Sequence, residues 1–525
     1  MRRANETRSP ALSDIEPSFN IFQKVPTGLV YCLLLIAFAI SLIIALYSAW
    51  PFTTDDAYIT LRYAYNWAHF GQLNWNLNDP VKVEGYSNSL YLGLAYLAIR
   101  LSLNPILVLK IVSLFSLAGA LVIIYLIAKS YANSICSILA VTFFGSYYGT
   151  IWWTVSGLET ITFVFLTLIS FYCYFLSTKA DSKKSLLWLG ITGFFVALTG
   201  ITRIEGPLVG IAIVICLLLD ELAKKSSWKS IFTKLLVLAA PFLLIYGVYF
   251  LLRFLWFKEL LPNSYYCKKG FTGNPRTLID MFLVENKAYL LIGLIGFLNK
   301  KARTSLLAMY SYIILLLIGL YGTDPIIGHY NRHSLIAVAL TGIILSVAIF
   351  QLWRIKPIVT AILVFFCIIY NLQTTFHHRE RLIAESSSYE KRMEARAKLA
   401  DYLNALNISS YAMGDCGLVP YLTSGKKVFD YYGLNSKEFT SWPINRNSEA
   451  YVKWLATQSP DAVIVISNDG KSFSPRNKTQ KLLYEIFCSQ IGYVDINKSF
   501  GDSGFIYHTP YNYRILLRKG EKTSY

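Results

Sequence analysis

The chain has 525 residues, 54% of them hydrophobic and 15% aromatic, with a formal net charge of +18. Apolar runs of about 17–25 residues recur from Gly28 to Phe376, the length that crosses a bilayer as helix, which excludes a soluble globule built on one large core. In such a chain the basic excess is first a topology signal carried by the loops, and it implies a lipid bilayer rather than nucleic acid as partner.

Residues 1–27 are polar, and Arg2, Arg3, Arg8 and Lys24 make them a cytoplasmic N-terminal tail. Gly28 to Trp50 is too long for a signal-peptide core and reads as an uncleaved first helix. The first outer loop, 51–87, follows. It opens on adjacent carboxylates, Asp55 and Asp56, and closes on Glu84-Gly85-Tyr86-Ser87-Asn88. Carboxylates at a bilayer surface are costly unless something pairs or uses them. A solvated loop whose acids pair with Arg62 and Lys82 satisfies that condition as well as a functional site does.

Leu90 to Leu101 is short for a crossing. If it crosses, the basic loops downstream fall outside; if it dips in and returns, they fall inside. Short apolar segments are often interfacial or re-entrant, so 88–102 is assigned as re-entrant. The next expected crossings are Ile106–Ala128, Ser134–Trp153, Ile161–Ser177, Leu186–Thr202 and Leu208–Leu222. After them come Ile231–Phe257, Tyr289–Leu298, Ser305–Tyr321, Leu335–Leu352 and Ile358–Thr375. With the first helix this makes about eleven crossings. Lys183, Lys184, Lys224, Lys225, Lys300, Lys301, Arg354 and Lys356 then lie inside. The loops holding Asp55, Asp56, Glu84, Glu159, Glu205 and His329 gather on the opposite face, a result that charge counting did not impose.

Residues 28–376 thus form the transmembrane domain, and 377–525 read as an extracytoplasmic α/β domain. It begins with a charged helical stretch, Arg379 to Leu406. Buried strands are expected at Tyr411–Asp415, Lys427–Asp430, Asp461–Ile466 and Tyr511–Leu517, with helices at Ser448–Gln458 and Thr479–Ile491. None of the eight cysteines has metal-ligand spacing.

Each outer motif also has a purely structural explanation. Ser156-Gly157-Leu158-Glu159 fits a helix N-terminus with an acid in its first turn. Arg203 and Glu205 fit a simple ion pair. Pro262 to Lys269 fits a turn with interfacial aromatics. His329, Arg332 and His333 fit a polar surface. Together, however, Asp55, Asp56, Glu84, Glu159 and Glu205 offer carboxylates for proton transfer. Arg203, Lys268, Lys269 and Arg332 offer cations for a phosphate. Tyr86 and Tyr266 offer aromatic faces for a sugar, and Asn88, Asn263 and His329 complete the substrate-binding set. No cofactor is implied and no metal cluster is evident, although Asp55, Asp56 and Glu159 could in principle bind a divalent cation.

The order Asp55-Asp56-Ala57-Tyr58-Ile59, Glu84–Asn88, Ser156–Thr160, Arg203-Ile204-Glu205-Gly206-Pro207, Leu261–Lys268 and His329–Arg332 resembles the mycobacterial cell-wall terminal arabinofuranosyltransferase family and its wider bacterial relatives. These are membrane glycosyltransferases of the GT-C type. Gly414-Asp415-Cys416-Gly417 and Asp430–Leu434 resemble that family's extracytoplasmic domain, so the resemblance runs from about Asp55 to Leu434. Ile204 stands where relatives usually have proline. The resemblance implies an inverting transfer of a sugar from a polyprenyl-phosphate donor to a glycan or glycolipid acceptor of the cell envelope. It implies an enzyme of the bacterial inner membrane acting on the periplasmic side, with a first-loop aspartate, Asp55, as general base. An O-antigen polymerase or ligase shares the polytopic plan, but the early double aspartate argues against it. A lipid-linked-sugar transporter would carry repeat halves and charges at mid-bilayer, and neither is found in the sequence.

Overall fold

In the computed structural model, residues 27–269, 273–441, 447–506 and 509–520 are described. The basic tail residues Arg2, Arg3, Arg8 and Lys24 lie outside them. The protein is a polytopic helical bundle followed by an α/β domain. Helices occupy all of the expected crossings. Among the described residues, 7 helices are long and apolar enough to span a membrane, or 8 if the pair Ser134–Gly145 and Tyr148–Val155, bent by 57°, counts as one.

The helix boundaries follow ordinary capping chemistry. Asn104 accepts from Leu107 N at 3.2 Å with Pro105 at the first helical position, and Asn133 accepts from Cys136 N at 2.9 Å. Pro241 inside Trp228–Phe242 withholds a backbone donor, and a π-turn over Leu243–Gly247 follows before the helix resumes as Val248–Phe257.

Two boundaries differ from expectation. The eighth span begins at Thr277, well before Tyr289. Its charged start resembles a loop in sequence, but Glu285 accepts from Tyr147 Oη at 2.7 Å and Tyr148 Oη at 2.5 Å, so the acid is satisfied within a helix. The last crossing and the charged stretch after it are one helix, Pro357–Ala405, of 49 residues. This long helix carries the bundle directly into the C-terminal domain.

That domain holds one five-stranded sheet. The strands are β1 (Ser410–Met413), β2 (Lys427–Asp430), β3 (Ala462–Ser467), β4 (Val494–Ile506) and β5 (Thr509–Leu517), in the order β2-β1-β3-β5-β4. β2, β1 and β3 are parallel; β5 runs antiparallel to β3 and β4. The sequence reading lacks β4, whose polar stretch from Asp495 to Ser499 and irregular register hide the period of two. β3 is buried on both faces. Ile464 and Ile466 pack with Leu399 and Leu403 of the long helix and Tyr63, Trp75 and Tyr91 of the first outer loop. Val463 and Val465 pack on the other side against Tyr451, Leu455 and Phe487.

The outer loop and this domain are locked together. The loop forms two helices, Asp55–Phe70 and Ser89–Arg100. Trp75 Nε1 donates to Val428 O at 3.1 Å, and Asn76 exchanges two hydrogen bonds with the Val428 backbone. Arg62 is fully buried and donates to the carbonyls of Trp75, Pro420 and Lys426. It is therefore a clamp between loop and domain, not the partner of the double aspartate that a solvated loop would require.

Candidate active site

Asp55 and Asp56 are the first residues of the Asp55–Phe70 helix, where the positive end of the helix dipole favours acids. Neighbouring helix positions diverge, so the two carboxylates have different surroundings. Asp56 is 49% exposed and lies 3.7 Å from Arg332 Nη1. Asp55 is half-buried against the C-terminal domain. Its Oδ1 accepts from Leu418 N at 2.9 Å and lies 3.3 Å from Arg396 Nη1. The approach needs Gly417: a Cβ there would sit 2.2 Å from the Asp55 carboxyl carbon.

Glu159, 2% exposed, is the hub of the cluster beneath Asp56. Arg203 Nη1 and Arg332 Nη2 each stand 3.5 Å from its Oε1, and Asn88 Nδ2 donates to its Oε2 at 3.0 Å. Asn88 Oδ1 in turn accepts from Thr60 Oγ1 at 2.9 Å, joining the far end of the outer loop to its first helix. Gly157 turns the chain with a φ of +81°, a conformation only glycine adopts freely, and Thr54 N donates to Ser156 O at 3.0 Å. The turn thus brings Glu159 under the double aspartate. Arg203 Nε pairs with Glu205 at 2.8 Å, and His333 Nδ1 lies 3.1 Å from the same carboxylate.

The electrostatics follow from this packing. Burial alone would raise the Glu159 and Glu205 carboxyls, but Arg332 and Arg203 hold the first, and Arg203 and His333 the second, below the ordinary range. Burial and the Arg203 cation push His333 down to about 4, which leaves it neutral near pH 7. Asp55 behaves oppositely. Desolvation raises it to about 6, even though Arg396 opposes the shift. Asp415 shares Arg396 at 3.0 Å and accepts from Tyr511 and Tyr513 hydroxyls at 2.5 and 2.7 Å. Against burial, Arg396 and those hydroxyls hold Asp415 low.

The structure therefore brings together Asp55, Asp56, Asn88, Glu159, Arg203, Glu205 and Arg332. Lys268 is half-buried at the end of the short helix Asn263–Lys268; burial and Arg332 lower its ammonium while Asp56 raises it. Other expected residues have different surroundings. Glu84 is buried with Arg253 at 2.6 Å, and burial pushes it up to about 7. Tyr86 packs edge-on against Tyr63, and Tyr266 lies against Tyr265. Lys269 Nζ donates to Tyr321 O at 2.9 Å, and His329 Nε2 lies 3.6 Å from Glu385.

Asn263 is engaged by the C-terminal domain. Its Nδ2 donates to the carbonyls of Gly433, Leu434 and Ser436, and its Oδ1 accepts from Thr440. Asn263→Ala strands these groups and is expected to cost about 1–3 kcal/mol. A thermal melt in detergent reads the loss; an unchanged melt would show that the latch carries no stability.

Arg396, Asp415, Tyr511, Tyr513 and His333 were absent from the expected set. Asp415 stood in a Gly-Asp-Cys-Gly motif, and His333 directly follows Arg332. Arg396 carried no signal, being one charge among many on a long helix. Among the described residues no group of three or more His, Cys, Asp or Glu is placed to hold a metal ion.

A helical bundle with a carboxylate–arginine cluster at the start of its first loop, roofed by an α/β domain, defines a membrane protein of the GT-C fold. The structure of ArnT from Cupriavidus metallidurans bound to undecaprenyl phosphate is similar at a TM-score of 0.61, with 9% identity over 95% of this chain and 99% of that one. The same protein in its apo state gives 0.55, with 10% identity over 94% and 98%. The apo oligosaccharyltransferase of Archaeoglobus fulgidus gives 0.50, with 13% identity over 90% and 75%. A family model described as a domain of unknown function (DUF8728) matches residues 381–514. No curated protein matches the sequence.

Proposed function

We propose that this protein is a GT-C glycosyltransferase. It moves a sugar, a pentofuranose such as arabinofuranose, from a polyprenyl-phosphate donor to a cell-envelope glycan or glycolipid. The reaction takes place on the outer, periplasmic face of the inner membrane. The observation that carries the reading is the pairing of a half-buried carboxylate, raised to about 6 by desolvation, with a cluster of arginines at one end of a GT-C bundle. A neighbour of that fold binds undecaprenyl phosphate, which supports a lipid-phosphate donor.

In this reaction the acceptor oxygen forms a bond to the anomeric carbon. The bond from that carbon to the phosphate oxygen breaks, and polyprenyl phosphate leaves with the electron pair. Attack from the opposite face inverts the centre. The acceptor hydroxyl gives its proton to Asp55, whose raised affinity for a proton suits a general base near neutral pH. Asp56 and Glu159 orient Arg332, and Glu159 and Glu205 orient Arg203, so that both guanidinium groups are preorganised near the departing phosphate.

Among the described residues Lys268 forms no ion pair, and it would supply point charge to the phosphate. Lys268→Ala should raise the KM for polyprenyl-phosphate sugar by about 10- to 100-fold, since a hydrogen bond to a charged group is worth about 1.5–3 kcal/mol. Transfer in nanodiscs, with polyprenyl-phosphate arabinofuranose supplied as donor, tests both points. No transfer and no donor cleavage by the wild type would sink the glycosyltransferase reading. An unchanged KM in the variant would remove only Lys268. Mass spectrometry of envelope glycans from a deletion strain then identifies the sugar and the acceptor.

A further inference from the structure

The arginines around the outer cleft are matched to acids. Arg203 pairs with Glu159 and Glu205, Arg332 with Asp56 and Glu159, Arg253 with Glu84, and Arg396 with Asp55 and Asp415. Arg62 has no acid but spends its donors on carbonyls. Arg392 is the exception. It is 7% exposed, one helical turn before Arg396 on the long helix, and its Nε and Nη2 have no hydrogen-bond partner among the described residues. Its guanidinium carbon lies 4.5 Å from the Tyr511 ring centroid and 5.7 Å from that of Tyr389. Four residues earlier, on the same helix face, the buried Ser388 hydroxyl also lacks a partner among the described residues.

A buried cation without an anion is costly, and a helix hydroxyl ordinarily bonds back to its own backbone. Two such donors side by side, between aromatic walls, fit an oxyanion that arrives with a ligand. Tyr389 extends this wall toward the membrane through Phe52, stacked on Trp152. We propose that Arg392 and Ser388 form a binding site for the phosphoryl group of a lipid, on the membrane side of the Asp55–Arg396 pair. The inference deepens the glycosyltransferase reading and rests on it for the identity of that lipid as the polyprenyl-phosphate donor.

The shared chemistry is a lipid phosphate, and a phospholipid headgroup could supply it as well as a polyprenyl phosphate. The test is ligand-induced thermal stabilisation of the full chain in detergent, with undecaprenyl phosphate, undecaprenol and phosphatidylglycerol as probes. Undecaprenyl phosphate, but not undecaprenol, should raise the wild-type Tm. Arg392→Gln should weaken apparent affinity by about 10- to 100-fold, the loss expected for charged hydrogen bonds. Arg392→Lys keeps the charge without the fork and should fall between.

Without lipid, Arg392→Gln should melt no lower than the wild type, because the change removes an unpaired buried charge. A lower melt would mark a structural arginine and overturn the proposal. Equal stabilisation of wild type and Arg392→Gln would overturn the site and leave the glycosyltransferase reading intact. Stabilisation by phosphatidylglycerol alone, lost in Arg392→Gln, would keep the site and remove the donor assignment. No phosphate-dependent stabilisation of the wild type would overturn both.

Discussion

Asp55→Asn is expected to lower sugar transfer by about 10²–10⁴-fold, the usual worth of a general base, without lowering the melting temperature. The two halves of this result come from one cause. Burial raises the Asp55 carboxyl from 3.8 to about 6, so the charged form that catalysis needs is the form that folding disfavours. The sign follows directly. A carboxyl whose folded pKa lies above its unfolded value destabilises the fold as pH rises from about 4 to 6, and fully above that. A shift of about two units corresponds to about 3 kcal/mol at neutral pH. Asn is nearly isosteric and uncharged, so it relieves this cost while losing the proton acceptor. The wild-type kcat/KM should rise with pH and level off above about 6. Asp56→Asn, at a half-exposed carboxylate that orients Arg332, should lose less. Transfer assays on both variants with matched melts decide the matter. Near-normal turnover in Asp55→Asn would show that the acid is a domain latch.

The largest stability effect should come from Arg396→Met. Arg396 is buried between Asp55 and Asp415, and removing it leaves two half-buried carboxylates without their cation. Breaking a buried pair from one side typically costs about 3–5 kcal/mol. The pH dependence separates charge from packing. Asp415 is held low in the folded state, so its ion pair contributes stability above its unfolded pKa and loses it as pH falls through the folded value. In Arg396→Met the cation that opposed burial is gone, leaving only the Tyr511 and Tyr513 hydroxyls at Asp415 and the Leu418 N–H at Asp55, so both acids are driven up and become neutral at mildly acidic pH. The destabilisation should therefore be smaller at pH 5 than at pH 8. Equal losses at both values would assign the effect to the missing side-chain volume.

How much of this was legible in the chain depends on the range of the forces involved. Apolar run length is a local property, and the expected crossings are all helical. The α/β character of the C-terminal part was legible for the same reason: Ala462–Ser467 and Lys427–Asp430 carry their strand signal within a few residues. Loop charge also pointed to one polar cluster, and Asp56, Asn88, Glu159, Arg203, Glu205 and Arg332 do meet.

What the chain did not disclose is which charge meets which. Arg62 stood six residues from Asp56 and was the natural partner, yet it points into the domain interface and binds carbonyls. The cation at Asp55 is Arg396, more than three hundred residues away, and its neighbour Arg392 pairs with no acid among the described residues. A helix sets these positions only by turn and face; the docking of the long helix between the outer loop and the sheet selects the partners. Burial then decides their chemistry. Asp55 and Asp56 are adjacent and identical in type, yet Asp55 is raised to about 6 because the C-terminal domain, approaching closely at Gly417, excludes water from it. Desolvation is a property of the packed structure, which is why composition and spacing located the acids and only the tertiary fold made them different.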